Sequence, residues 1–142
     1  MARAWPHLKS FIISHARSRL TLHAFLPFAK YCPELEVLGM RIDATSVNND
    51  EERPGMGSLG TRLRELMIFD SPIDDPPRVA AFISDIFPNV VRIPFTFPHV
   101  TAQQHRTAAE THWMRWNEVK RSIPIFVAVR RREANIRPGS EP

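Results

Sequence analysis

The sequence predicts an α/β solenoid in which about four short parallel strands stack at a constant interval of chain, with helical or loop returns and helices over the C-terminal end. Three observations carry that expectation: one apolar pattern occurs four times, turn and helix-cap residues fall between the occurrences, and a tryptophan-bearing helical stretch follows the last. The chain has 142 residues, 43% of them apolar, which is enough for one buried core.

The recurring pattern is apolar-x-x-apolar-x-apolar. It is seen in Trp5-Pro-His-Leu-Lys-Ser-Phe-Ile-Ile, Cys32-Pro-Glu-Leu-Glu-Val-Leu-Gly-Met, Thr61-Arg-Leu-Arg-Glu-Leu-Met-Ile and Phe87-Pro-Asn-Val-Val-Arg-Ile-Pro-Phe. Its first apolar position falls at Leu8, Leu35, Leu63 and Val90, so the spacings are 27, 28 and 27 residues. Chance apolar runs would drift, and this interval lies within the range of about 20–29 residues of leucine-rich repeats. The alternative is an ordinary α/β domain with four strands. The units lie near residues 5–31, 32–60, 61–86 and 87–100.

Successive strand residues point to opposite faces, so Phe11/Ile13, Leu38/Met40, Leu66/Ile68 and Ile93/Phe95 are expected in the core. Their neighbours look outward in three columns: Ser10, Val37, Glu65 and Arg92; Ile12, Gly39, Met67 and Pro94; Ser14, Arg41, Phe69 and Thr96. Of these, Ile12, Val37, Arg41, Glu65, Met67, Phe69 and Arg92 are the candidate partner contacts, because an apolar patch beside charged residues on an exposed sheet suits protein recognition. Glu65 and Arg92 are also placed to pair across adjacent strands.

Two of the three returns carry helical signals. After Ile73, Asp75 is a candidate cap, Pro76 fits the first turn, and Val79, Phe82, Ile83, Ile86 and Phe87 form one apolar stripe. In the first return Thr21 is a candidate cap, and Pro27 implies a short or bent helix. The middle return, Asp43 to Gly60, has little apolar periodicity and reads as a surface loop. Residues 101–121 and 122–135 read as two capping helices, the second capped by Ser122, with a disordered tail beyond. Trp113 and Trp116 are expected to cover the end of the core, or alternatively to form an exposed hot spot.

Composition narrows the function classes. No signal sequence or run of 18 apolar residues is present, which points to an intracellular, cytoplasmic or nuclear protein without a membrane association. Cys32 is the only cysteine, so neither an internal disulfide nor a multi-thiolate zinc site can form. The net charge of +4 arises wholly from residues 101–142; in the main body arginines are interspersed with acids, unlike the continuous basic stripe of a nucleic-acid binder.

Chemical motifs are sparse, and no catalytic residue, metal ligand or cofactor is assigned. Gly55-Met-Gly-Ser-Leu-Gly60 matches the phosphate-cradling G-x-G-x-x-G, but it leads into a strand instead of opening a helix, and Asp50, Glu51 and Glu52 lie beside it. A nucleotide-binding enzyme built on this loop is the alternative to a binding module. The histidines at 7, 15, 23, 99, 105 and 112 never fall four apart, and His105 and His112 read as solvated. Cys32 precedes a proline where burial would silence its thiol, and Asp74 and Asp75 suit a helix start.

Cys32-Pro-Glu-Leu-Glu-Val-Leu, Phe87-Pro-Asn-Val and Trp116-Asn-Glu-Val-Lys followed by Ile125-Phe-Val-Ala-Val-Arg130 resemble the C-terminal leucine-rich-repeat region of fungal F-box proteins, over about residues 5–133. The resemblance implies a non-catalytic module that selects a protein for ubiquitination, joined to the ligase through an F-box. No F-box is visible before the first unit, so an adaptor role is expected only if one lies upstream, and the chain is read as a fragment, a truncated product or a stand-alone repeat protein. A first unit without a cap is expected to leave an apolar edge and to favour self-association.

Overall fold

In a computed structural model, residues 5–13, 20–45, 60–97 and 103–136 are described, with side chains of the final helix from 106 to 133. Three strands, β1 (Ser10–Ile13), β2 (Val37–Met40) and β3 (Glu65–Met67), pair in parallel in the order β1-β2-β3. A 3-10 turn (Leu22–Phe25) runs into α1 (Leu26–Tyr31), α2 (Pro76–Ile86) follows β3, and α3 (Gln103–Ile136) ends the described chain.

The register is the one the apolar interval implies. Ser10 faces Val37, which faces Glu65; Ile12 faces Gly39, which faces Met67. The strands are entered by a repeated hydrogen-bond pattern. The Lys9 carbonyl accepts from Glu36 and Val37 N–H, the Glu36 carbonyl from Arg64 and Glu65, and the Arg64 carbonyl from Val91 and Arg92.

The expected four-strand solenoid does not form. The structure is a small α/β domain with a three-stranded sheet that does not curl. The segment 90–95 reaches β3 only through the isolated bridges Glu65↔Arg92 and Phe69↔Phe95. Its Pro94 has no N–H to give to a ladder, which explains why the pairing is interrupted between the two bridges. The returns are also unequal, so no repeated helix on one side imposes curvature. A single long helix, α3, packs against α2 instead.

The two helices expected after the fourth segment are likewise one. α3 runs through Ser122 and Pro124 without a break. A proline inside a helix costs about 3 kcal/mol, and interactions on both sides of it offset that cost. Val119 and Ile123 are buried, Phe126 and Val127 pack on the core, and Arg130 donates to Ala81 O (2.9 Å) and Ser84 Oγ (2.5 Å) of α2. Arg130 also lies 4.0 Å from the buried Asp85 carboxylate.

The helical expectations elsewhere hold in part. Asp75 Oδ1 accepts from Arg78 N at 3.4 Å with Pro76 in the first turn, and all five residues of the predicted stripe are buried. The first return is short, as Pro27 implied, but Thr21 makes no side-chain capping bond. The tail from 137 and the middle return between 46 and 59 lie outside the described residues.

All helices share one core with the inner sheet face. Leu38 and Leu66 are fully buried beside Phe25, Ile83, Phe87 and Trp116, and the Phe11 ring lies 4.9 Å from that of Phe28. Trp116 is 1% exposed, and its indole Nε1 donates to the Ser71 carbonyl at 2.9 Å. Trp113 on the same helix is 43% exposed, so only Trp116 joins the core.

Replacing the indole by a phenyl ring removes the bond to Ser71 together with part of a buried ring. Trp116→Phe is expected to lower unfolding free energy in urea by about 1–3 kcal/mol, since it leaves a buried carbonyl unpaired, whereas Trp113→Phe shifts it by less than about 0.5 kcal/mol. Equal effects would contradict this assignment.

Candidate functional site

The sheet face turned away from the helices gathers the candidate contact residues. Strand alternation sends Phe11, Leu38 and Leu66 into the core and Ile12, Gly39 and Met67 outward. Ile12 is 50% exposed, while Val37, Glu65, Met67 and Phe69 are half-buried and Arg92 is exposed.

Gly39 sets the shape of this face. A Cβ added there would stand 3.0 Å from Ile12 Cγ2 and 3.2 Å from Met67 Cβ, so the two flanking side chains close over the glycine. The result is a continuous apolar row across three strands. Any larger residue at 39 would push Ile12 and Met67 apart.

Two ion pairs bracket the row. Glu65 Oε1 and Arg92 Nε stand 3.0 Å apart at the strand starts, as adjacent-strand placement implied. At the strand ends Arg41 Nε donates to Asp70 Oδ1 at 2.8 Å. Each half-exposed pair stabilises by no more than about 1 kcal/mol, so their larger effect is to fix where charge sits around the apolar centre.

Phe69 sits just beyond β3 in the left-handed region, at φ 53°. For a bulky L-residue this costs roughly 1–2 kcal/mol, and its partners hold it there. Phe69 O accepts from Thr96 N at 2.9 Å, Asp70 is fixed by Arg41, and the buried Ser71 hydroxyl donates to Ile68 O and accepts from Ile42 N at 2.9 Å. The outward column that contains Arg41 and Phe69 is therefore a tied turn. Ser14, assigned to the same column, lies outside the described residues.

Sequence reasoning missed Asp70, the partner of Arg41, although it stands one residue after Phe69 in the same register. It also missed a second charged group at the strand entrances. Glu34 accepts from His7 at 2.5 Å and lies 3.7 Å from Arg62. The His7 hydrogen bond is the chief reason that the Glu34 carboxyl titrates below its usual range. Asp43 is lowered too, chiefly by its hydrogen bond from the Thr45 hydroxyl.

The remaining chemical candidates fall to structural roles. Burial raises the Cys32 thiol above its ordinary value, leaving it less thiolate than an exposed cysteine. His112, read as solvated, is half-buried, and its Nδ1 accepts from Ile73 N at 3.1 Å. Asp75 caps α2, and Asp74 lies 3.4 Å from Arg115. Among the described residues, no three His, Cys, Asp or Glu side chains are grouped to hold a metal ion, and no helix is long and apolar enough to cross a membrane.

Most of the Gly55–Gly60 pattern lies outside the described residues, but Gly60 does not. Its N–H donates to Ile86 O at 2.8 Å, which removes that amide from any phosphate cradle. A Cβ at this position would run into the Phe87 ring, so close packing explains the glycine.

No protein-family model matches this chain, and no curated protein matches it.

Gly60→Ala tests the packing role. Overpacking against Phe87 is expected to cost about 1–3 kcal/mol in urea unfolding. A loss below about 0.5 kcal/mol would contradict a role in packing.

Proposed function

We propose that this chain is a non-catalytic protein-binding module that engages its partner through the outward sheet face. The observation that carries the reading is the apolar row in which half-exposed Ile12 and half-buried Met67 close over Gly39, between the Glu65–Arg92 and Arg41–Asp70 pairs. An apolar centre with a charged rim is the composition of protein interfaces, and charges already paired within the face keep their geometry when water is excluded. Val37 and Phe69 extend the apolar area on either side.

The resemblance of Cys32–Leu38 and Trp116–Arg130 to F-box substrate receptors gives this proposal a more specific form. The bound protein would be a substrate for ubiquitination, with an F-box upstream of this sequence making the connection to the ligase. The nucleotide reading is disfavoured by the bond between Gly60 N–H and Ile86 O.

The test is affinity capture with the wild-type chain, Ile12→Glu and Met67→Glu as baits, after circular dichroism and urea midpoints have shown that both variants fold. A carboxylate placed in the apolar row has no local partner and stays hydrated only if the face remains open. A specific partner is expected to fall at least about tenfold with each variant, a loss of 1.4 kcal/mol or more. Partners retained by both variants would remove the sheet face from the proposal, and thermal stabilisation by ATP or NAD at millimolar concentration would favour the nucleotide reading.

A further inference from the structure

α3 directs His112, Trp116, Val119 and Ile123 toward the body of the domain. Steps of three and four residues then place Trp113, Asn117 and Lys120, with Met114 and Arg121 beside them, on its other side. These five side chains line an open cavity of about 420 Å³.

The cavity has a braced aromatic wall. The Trp113 ring lies 6.1 Å from that of Phe97, which in turn lies 5.2 Å from Phe95. Phe95 is fixed by its bridge to Phe69, so the indole is supported from the sheet edge. Asn117 Nδ2 donates to Trp113 O at 3.1 Å, which orients the amide. Met114 is 63% exposed beside it and supplies a pliable apolar surface.

The charged side chains that line this cavity are both basic. Arg41, Arg62, Arg78, Arg92, Arg115 and Arg130 each lie within 4.0 Å of a carboxylate. Lys120 and Arg121 pair with no carboxylate among the described residues, although both are exposed at the cavity. Cations about two helical turns from a braced indole complement a ligand that is apolar at one end and anionic at the other.

We propose that this cavity docks an acidic segment of a partner protein, with an aliphatic or aromatic side chain against Trp113 and Met114 and carboxylates on Lys120 and Arg121. From Trp113 to Arg121 the helix rises roughly 12 Å, which an extended peptide spans in about four residues. The acids therefore follow or precede the apolar anchor by that distance. An anionic bilayer calls for a cluster of about four to eight basic residues, whereas the cations lining this cavity are Lys120 and Arg121. A nucleic acid would call for a longer basic track and several stacking rings.

The site is separate from the outward sheet face, and its test distinguishes the two. Fluorescence anisotropy of the full chain would be measured with an array of fluorescein-labelled peptides. Each carries a run of glutamates about four residues from one anchor, which is phenylalanine, tryptophan, leucine, isoleucine or methionine. A matching array has lysine for glutamate. The expected result is saturable binding of glutamate peptides only, weakened at least about tenfold in Trp113→Ala and in Lys120→Glu/Arg121→Glu and unchanged in Met67→Glu. Binding that persists in the charge-reversed variant, absence of binding across the glutamate array, or tighter association with phosphatidylserine vesicles or a single-stranded oligonucleotide would each overturn the proposal.

Discussion

Three side chains on one face of α3 satisfy the backbone of the loop that carries β3 into α2. Trp116 Nε1 donates to Ser71 O (2.9 Å), Ile73 N donates to His112 Nδ1 (3.1 Å), and the Arg115 guanidinium donates to Ile73 O (2.8 Å). Spacing of three and four residues puts them in one row along the helix. The loop runs beneath α3, where water cannot reach Ser71, and a buried backbone group left unpaired costs about 1–3 kcal/mol. This row therefore fixes how the long helix lies on the domain.

With α3 held there, the rest of the architecture follows. Arg130, farther along the helix, reaches Ala81 and Ser84 in α2, so both helices seal the inner face of the sheet. The Ser71 hydroxyl passes the constraint on to Ile68 and Ile42 at the ends of β3 and β2, beside the Arg41–Asp70 pair. The outer face is thus shaped from behind. Its apolar row is held by strand register and by the glycine at 39, and its charged border by the same turn that anchors α3.

Much of this was legible in the order of residues. Leu8, Leu35, Leu63 and Val90 set a register that the strands keep, because an apolar residue displaced by one position would turn its side chain to water. The cap and stripe of α2 were equally readable, since both depend on neighbours within a few residues. Interval alone does not determine curvature, however. A solenoid needs similar returns in every unit, and here Pro94 interrupts the ladder while α1 and α2 differ in length. Ser122 and Pro124 looked locally like a new helix start, and tertiary packing of Ile123, Phe126 and Arg130 overrode that signal. The loop contacts of His112 and Trp116 span 39 and 45 residues, so no local pattern announces them. For the candidate face, alternation identified the outward residues, but Asp70 emerged only when the turn brought it to Arg41.

The account rests on one face of the sheet being sealed and the other open, and methionine oxidation reports on both at once. Met40 is buried in the core, Met67 is half-buried on the outer face, and Met114 is largely exposed on α3. Dilute peroxide applied to the native chain, with peptide mass mapping over time, should convert Met114 fastest, Met67 next and Met40 only under conditions that unfold the protein. Oxidation of Met40 in the native state as fast as Met67 would contradict the assignment of inner and outer faces.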